Sequence, residues 1–331
     1  MGNLFPPCDK RLTAAIRNAG KAAVIAHRNP DGDALYSSLA MREVLSSLGK
    51  ETYLLNEGPF LRDDIKYLES EFAPQIEDSL IDDDLLVIIL DCSTPDRPGK
   101  PFEKLMNQKR IVIDHHSSGV PFVDEGFGYI VPESPSTTLL VDKVREELGV
   151  PLTEKMADYL YRGFATDTGF YHFLSSSQAP ESLRRAASFA EMGVSPYEVY
   201  DEMHDGRKLS DIKNAAAIIM ASHAELDGKV IFAYQSPEIK EARLSDSVYA
   251  TLLEAENVMA VIFIKDKGDA LEIGFRSKNK ADIDVGRIAS SLGGGGHKKA
   301  AGATITGYTK EEAEALLLRI MEREISSATP V

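Results

Sequence analysis

Three short apolar runs stand out in the first third of the chain, and residues 51–56 read as a further strand between them. Residues 21–27 (KAAVIAH), 85–91 (LLVIILD) and 110–114 (RIVID) are apolar almost throughout instead of alternating with polar positions. Such runs fit strands buried on both faces, as in a parallel sheet. Elsewhere the apolar positions take helical spacing. Leu35, Leu39, Val44, Leu45 and Leu48 predict a helix over 33–49 that stops at Gly49, and further helices are expected over 136–149, 153–165 and 180–192. Strands alternating with helices specify an α/β fold with a doubly wound parallel sheet. Residues 195–222 begin polar and end in an apolar helical stretch (AAAIIMA), so they read as a helical linker. Beyond it the pattern restarts, with strands at 229–234, 258–264 and 270–276 and helices at 246–255, 284–291 and 309–325. This is the pattern of a second, smaller α+β domain. The expected division is 1–194, a linker over 195–222, and 223–331; a length of 331 residues also favours two cores over one.

The polar residues that close the apolar runs carry the chemistry. In open α/β sheets, ligands bind beyond the carboxyl ends of the strands. His27, Asp91 and Asp114-His115-His116 all stand at such ends. The first run continues into His27-Arg28-Asn29-Pro30-Asp31-Gly32-Asp33, which offers three ligand-type side chains at a strand-to-helix turn. Thr166-Asp167-Thr168-Gly169 follows the helix expected to end at 165. Each motif also has a plain structural reading. Asp31 or Asp33 could cap the next helix, Asp91 could pair with Arg97, the two histidines could lie on the surface, and Asp167 could cap a turn. Taken together they place four carboxylates and three imidazoles at one sheet edge. Without a cation those carboxylates would repel one another strongly. Mixed carboxylate and imidazole ligation suits manganese, iron, cobalt or zinc, and a pair of such ions is the usual arrangement for phosphoryl hydrolysis.

Composition narrows the reading. The net charge of −15 argues against a protein that grips long duplex nucleic acid through a basic face. It leaves room for a small nucleotide, because bound cations reverse the field locally. Two cysteines, Cys8 and Cys92, cannot build a disulfide framework. No run approaches the length of a membrane span, and the first residues lack the layout of a secretory signal. A cytoplasmic protein without a membrane partner is expected. Cys92 has no arranged base for nucleophilic work, and the glycine run at 293–296 lacks the Lys-Ser/Thr that completes a phosphate-binding P-loop.

HRNPDGD, DCSTPDR, DHH at 114–116 and ATDTGF at 165–170 resemble, in order, the four motifs of the DHH phosphoesterase superfamily. GGGGHKKAAG at 293–302 resembles the signature of its DHH-associated C-terminal domain. The likeness runs from about residue 20 to 325. The chain's compact size is similar to the branch that holds bifunctional oligoribonucleases and 3′-phosphoadenosine 5′-phosphate phosphatases, often described as exopolyphosphatase-related. The resemblance implies two divalent ions, with Mn²⁺ expected and Mg²⁺ or Co²⁺ as alternatives. It implies one ion on His27, Asp31 and Asp91 and the other on Asp33, Asp91, His115 and Asp167, with Asp91 as the bridge. His116 would face the scissile phosphate, and Asp114 would orient a histidine. Arg276, Gly294, Gly295, Gly296 and His297 would clamp substrate, and the active site would lie in the cleft between the domains.

The implied substrate is a short single-stranded RNA or 3′-phosphoadenosine 5′-phosphate. A homodimer is left open. The alternatives are a cyclic- or linear-dinucleotide phosphodiesterase, an exopolyphosphatase- or pyrophosphatase-like hydrolase, and a non-catalytic nucleotide sensor. One departure stands out. Tyr36 occupies a position where the family often has glycine, and there its bulk beside the metals could narrow the pocket or alter the preferred substrate.

Overall fold

A computed structural model of the chain describes residues 4–60, 62, 64–92, 94–116, 122–205, 207–239, 244–278 and 280–327. Two compact units divide it, residues 1–205 and 206–331.

The first unit is built on strands β1 (Lys21–Ile25), β2 (Glu51–Leu55), β3 (Leu85–Leu90), β4 (Arg110–Asp114) and β5 (Gly128–Ile130). Their order is β2-β1-β3-β4-β5, and every neighbouring pair is parallel. The unbroken apolar runs explain this. Alternate residues of one strand supply opposite cores: Val24, Leu86 and Ile88 face one layer, and Ala23, Ile25, Val87 and Ile89 the other. The helices are α1 (Lys10–Asn18), α2 (Gly32–Ser47), the four-residue α3 (Lys100–Glu103), α4 (Thr137–Glu147), α5 (Glu154–Asp167), α6 (Ala179–Glu191) and α7 (Pro196–His204). Residues 32–41 of α2 are all buried, as befits a central helix with neighbours on several sides. The order reverses between β1 and β3, so the crevice beyond their carboxyl ends is a topological switch point.

The second unit holds α8 (Leu209–Ala221), β6 (His223–Glu225), β7 (Val230–Gln235), α9 (Leu244–Leu253), β8 (Ala260–Asp266), β9 (Ala270–Ser277), α10 (Val285–Ser291), β10 (Gly295–His297), β11 (Ala300–Thr306) and α11 (Lys310–Ser327). Its sheet runs β10-β11-β9-β8-β7-β6, antiparallel except for the β7–β8 pair. Residues of α10 and α11 share one core with Phe232, Ile262, Ile273 and Phe275. Residues of α8 and α9 share the other with Ile231, Val261 and Phe263.

The α/β fold with a smaller second unit agrees with the expectation. The stretch read as a linker carries two helices, α7 in the first unit and α8 in the second. The elements without a forecast are α1, α3, β5, β6, β10 and β11. Strand β11 buries Ala301, Ala303 and Ile305 on one face only, and alternating alanines give a weak apolar signal. Among the described residues, no helix is long and apolar enough to cross a membrane.

Helix packing around α5 depends on missing side chains. A Cβ added at Gly163 would stand 2.2 Å from Thr138 Cγ2 of α4, and one at Gly32 would stand 2.5 Å from Thr166 Oγ1 of α5. Gly163→Val should therefore destabilise the first unit by about 1–3 kcal/mol, the usual range for overpacking. Urea unfolding followed by far-ultraviolet circular dichroism measures this, and an unchanged midpoint would show that α4 and α5 have room to separate.

Candidate metal centre

Each candidate side chain reaches one place by a separate local device. His27 follows β1, and its carbonyl accepts from Asn56 Nδ2 at 3.0 Å. Asp31 caps α2, accepting the amide of Ala34 at 3.1 Å, so capping and proximity to the site coexist. Asp33 lies in the first turn of α2 and is buried. Asp91 follows β3 with a φ of 58°, a left-handed conformation that costs a non-glycine residue free energy. Its amide donates to Ile113 O at 3.0 Å. Asp114 ends β4, and His115 and His116 follow it. Asp167 is the last residue of α5.

These residues converge. His27 Nε2 lies 3.5 Å from Asp91 Oδ2 and 3.9 Å from Asp31 Oδ1. His115 Nε2 lies 3.5 Å from Asp91 Oδ1, 3.5 Å from Asp167 Oδ2 and 3.9 Å from Asp33 Oδ2. His116 Nδ1 is 2.7 Å from Asp114 Oδ1 and 3.5 Å from Asp91 Oδ1. Three ligand-type groups form: His27 with Asp31 and Asp91; Asp33 with His115 and Asp167; and Asp91 with His115 and His116. Asp91 belongs to two of them. Its neighbours are histidines and Thr137, and Arg97, the alternative partner, is not among them.

The imidazole tautomers decide what the centre can hold. Nδ1 of His27 faces Arg28 O at 2.9 Å, and Nδ1 of His115 faces Ser134 O at 3.2 Å. A carbonyl only accepts, so both Nδ1 atoms carry hydrogen. In the neutral rings the Nε2 lone pairs then point at carboxylates. Nε2 of His27 is buried with no hydrogen-bond partner. A lone pair facing carboxylate oxygens is repulsive unless a proton or a cation stands between them. Backbone carbonyls holding the far nitrogen are the usual support for metal-ligating histidines. The donor set and its orphaned nitrogen therefore fit a divalent cation.

Asp33 shows a support that sequence reasoning missed. Its carboxylate accepts Thr137 N at 2.6 Å, Thr138 N at 2.9 Å and Thr138 Oγ1 at 2.8 Å. Thr137 Oγ1 donates to Asp91 Oδ1 at 2.9 Å. The amino terminus of α4 thus receives the carboxylate, as its exposed amides and dipole favour. The signal was present in Ser136-Thr137-Thr138, a cap-type run at a forecast helix start. Tyr36 also differs from expectation. It is buried between helices, its ring 6.3 Å from that of Tyr159 and its hydroxyl 2.7 Å from Tyr67 Oη, so it does not narrow the centre.

The second unit's candidates form their own feature. Arg276 and Gly294 help line a 440 Å³ cavity with Tyr249, Lys265, Gly274 and Gly302. The Arg276 guanidinium lies 4.8 Å from the centre of the Tyr249 ring. Gly295 and Gly296 pair with Gly302 and Ala301 in the β10–β11 ladder. The backbone of His297 closes β10, and its side chain lies outside what the structure describes.

Residues 21–164 match the DHH family N-terminal domain, and residues 227–327 match the DHHA1 domain. The chain thus carries a DHH domain followed by a DHHA1 domain. It is similar to the bifunctional oligoribonuclease and PAP phosphatase NrnA of Thermus thermophilus, 29% identical over 96% of this chain and 95% of that one. It is 26% identical to the cyclic-di-AMP phosphodiesterase GdpP of Geobacillus thermodenitrificans over 97% of this chain and 50% of that protein. An exopolyphosphatase-related protein of Bacteroides fragilis has the same fold, with a TM-score of 0.82 at 21% identity, covering 95% of both chains.

On balance, burial and crowding favour the protonated forms of most groups in the centre. Burial pushes the Asp33 carboxyl up to about 7, helped by the Asp91 charge. Burial also raises Asp167 well above the carboxylate range, with Asp33 and Asp91 adding to it. For His27 and His115 burial works the other way but is outweighed by the nearby carboxylates, so both are raised. Burial would raise Asp91 as well, yet the imidazoles of His27 and His115 hold it below its ordinary value.

Four of these groups bind protons more tightly folded than unfolded. Asp33 and Asp167 therefore oppose folding of the metal-free protein increasingly as pH rises from the carboxylate range, through about 7 for Asp33, while His27 and His115 contribute stability that is lost as pH rises above the ordinary imidazole value. Asp91 acts with the opposite sign, but its contribution is already complete above pH ~4. A cation needs the deprotonated ligands, so its binding expels protons. Added Mn²⁺ should accordingly raise Tm more at pH ~8 than at pH ~5.5. Calorimetric scans with and without the ion check this; an equal or smaller gain at the higher pH would contradict it.

Proposed function

We propose that this chain is a manganese-dependent, two-metal phosphoesterase that hydrolyses short oligoribonucleotides or 3′-phosphoadenosine 5′-phosphate. One observation carries the reading: two carbonyl-locked imidazoles present Nε2 to a cluster of four carboxylates centred on buried Asp91. The substrate class rests on the likeness to NrnA along both chains. The likeness to GdpP supports a second reading, a phosphodiesterase acting on cyclic dinucleotides. The compartment we assign is the cytoplasm, on the strength of two free buried cysteines.

In this reading His27, Asp31 and Asp91 hold one cation, and Asp33, His115, Asp167 and the shared Asp91 hold the other. Bound there, the ions would supply Lewis acidity, making water nucleophilic at neutral pH and neutralising phosphoryl oxygens. The protein's own groups do the rest. Thr137 and Thr138 fix Asp33 and Asp91 before substrate arrives, so no reorganisation is needed. Asp114 fixes the His116 ring through Nδ1, and in this reading the ring would donate from Nε2 to the phosphate or the departing oxygen. The hydrogen bond it donates to Asp114 raises His116 above its ordinary value, which keeps a proton available. Arg276, Gly294, Gly295, Gly296 and His297 of the second unit take a substrate phosphate.

The direct test is a hydrolysis panel with Mn²⁺ that includes dinucleotides, longer RNA, 3′-phosphoadenosine 5′-phosphate, cyclic-di-AMP, pyrophosphate and polyphosphate. Turnover of the short RNA or the 3′,5′-bisphosphate is expected. Cleavage of the cyclic dinucleotide alone would favour the second reading, and turnover of none would make the chain a binding protein. Asp91→Asn should abolish turnover in a protein that remains folded by circular dichroism. His116→Ala should lower kcat by about 10²–10⁴-fold, the usual contribution of a positioned proton donor, while calorimetry still shows Mn²⁺ binding. Arg276→Ala should raise KM with little change in bound metal; an unaltered KM would remove it from the clamp.

A further inference from the structure

The chain directly after Asp167 is an aromatic surface. Helix α5 ends in a Schellman motif: Gly169 N donates to Thr166 O at 3.2 Å and Phe170 N to Ala165 O at 2.7 Å. Left-handed backbone then continues past the glycine, with φ of 54° at Gly169, 51° at Phe170 and 74° at Tyr171. For two residues bearing side chains this is costly, and such conformations collect at functional positions. The turn sets out two groups of rings. Phe173 lies on Gly169, where an added Cβ would stand 2.6 Å from its Cε2. Phe170 meets Tyr200 of α7 edge-on at 4.8 Å, and Tyr200 stacks on His204 at 3.9 Å with 18° between the planes. The His204 ring is fixed by its Nδ1, which donates to Tyr200 O at 2.8 Å.

These rings are not a core. Phe173 is 62% exposed and Tyr200 is 47% exposed, and His204 is exposed as well. Phe170 and Phe173 follow Asp167 closely in the chain, and Phe170 holds Tyr200 and His204 beside it. A nucleotide whose phosphate sits at the metal centre places its base within one nucleotide's reach of it. Stacking is a general source of affinity for a base, and it tolerates any base because each has a π face.

We infer that this strip, with Phe173 and Tyr200 as the exposed faces and Phe170 and His204 as their braces, receives the nucleobase of the substrate. The inference rests on the nucleotide reading above and adds a positioning surface to it. It also gives the protein a way to distinguish nucleotides from inorganic phosphate chains, which have no ring to stack.

The test uses the full chain with Mn²⁺, a 5′-phosphorylated dinucleotide and its abasic analogue. Phe173→Ala/Tyr200→Ala should raise KM for the base-bearing substrate roughly 5- to 150-fold, the span expected for one stacked base. KM for the abasic analogue should not move, and Phe173→Tyr/Tyr200→Phe should retain the parent value. The inference is overturned if KM for the base-bearing substrate is unchanged, or if both substrates lose equally. A change of oligomeric state in sedimentation, with KM unaltered, would reassign the strip to contact between copies and overturn it too. Failure of the unaltered protein to cleave either substrate would instead remove the nucleotide reading itself, and this inference with it.

Discussion

Two imidazole rings in this protein are oriented by main-chain carbonyls, and that orientation sets the chemistry around them. With Nδ1 committed to Arg28 O and Ser134 O, the neutral rings of His27 and His115 present lone pairs to carboxylate oxygens. Negative and lone-pair-bearing groups then face each other inside a buried shell. Such a shell persists only when a positive species fills it. In the metal-free protein a proton can serve: burial and the neighbouring carboxylate charges push the Asp33 and Asp167 carboxyls above the ordinary carboxylate range. A divalent cation would satisfy the same demand with more charge, and mixed carboxylate and imidazole donors suit such an ion.

The fold delivers this arrangement at the reversal of its sheet. β1 and β3 are neighbours whose outgoing chains leave in different directions, so His27 and Asp91 come together across an open crevice. β4 adds Asp114, His115 and His116, and α5 adds Asp167 from another element. The left-handed turn at Asp91 is tolerated because its amide and carboxylate are both engaged. The amino terminus of α4 receives Asp33 through two amides and a hydroxyl. Rigid supports of this kind place ligands before any ion arrives, which is what precise ligation requires.

Much of this was legible in the amino-acid pattern. The unbroken apolar runs named β1, β3 and β4, because strands covered on both faces have no polar side to show. The polar residues ending those runs named the centre, because a carboxylate at the end of a buried strand needs a compensating partner. The Thr137 and Thr138 support escaped notice because a cap-type run reports a helix start without saying which distant carboxylate it meets. Strand β11 escaped because its buried face is mostly alanine. The bulk of Tyr36 suggested a narrowed pocket, yet α2 turns that ring into the packing with Tyr159. The aromatic strip was invisible for a related reason: Phe170 and Tyr200 are far apart in sequence and meet only through the turn that ends α5.

The claim on which the rest stands is that the carboxylate and imidazole shell holds two cations bridged by Asp91. Anomalous diffraction at the manganese edge, from crystals grown with Mn²⁺ at neutral pH, measures it directly. The account predicts two peaks, one among His27, Asp31 and Asp91 and one among Asp33, Asp91, His115 and Asp167, with Asp91 touching both. Ordered side chains with no peak between them, or a single peak that leaves His27 Nε2 facing carboxylates alone, would contradict it.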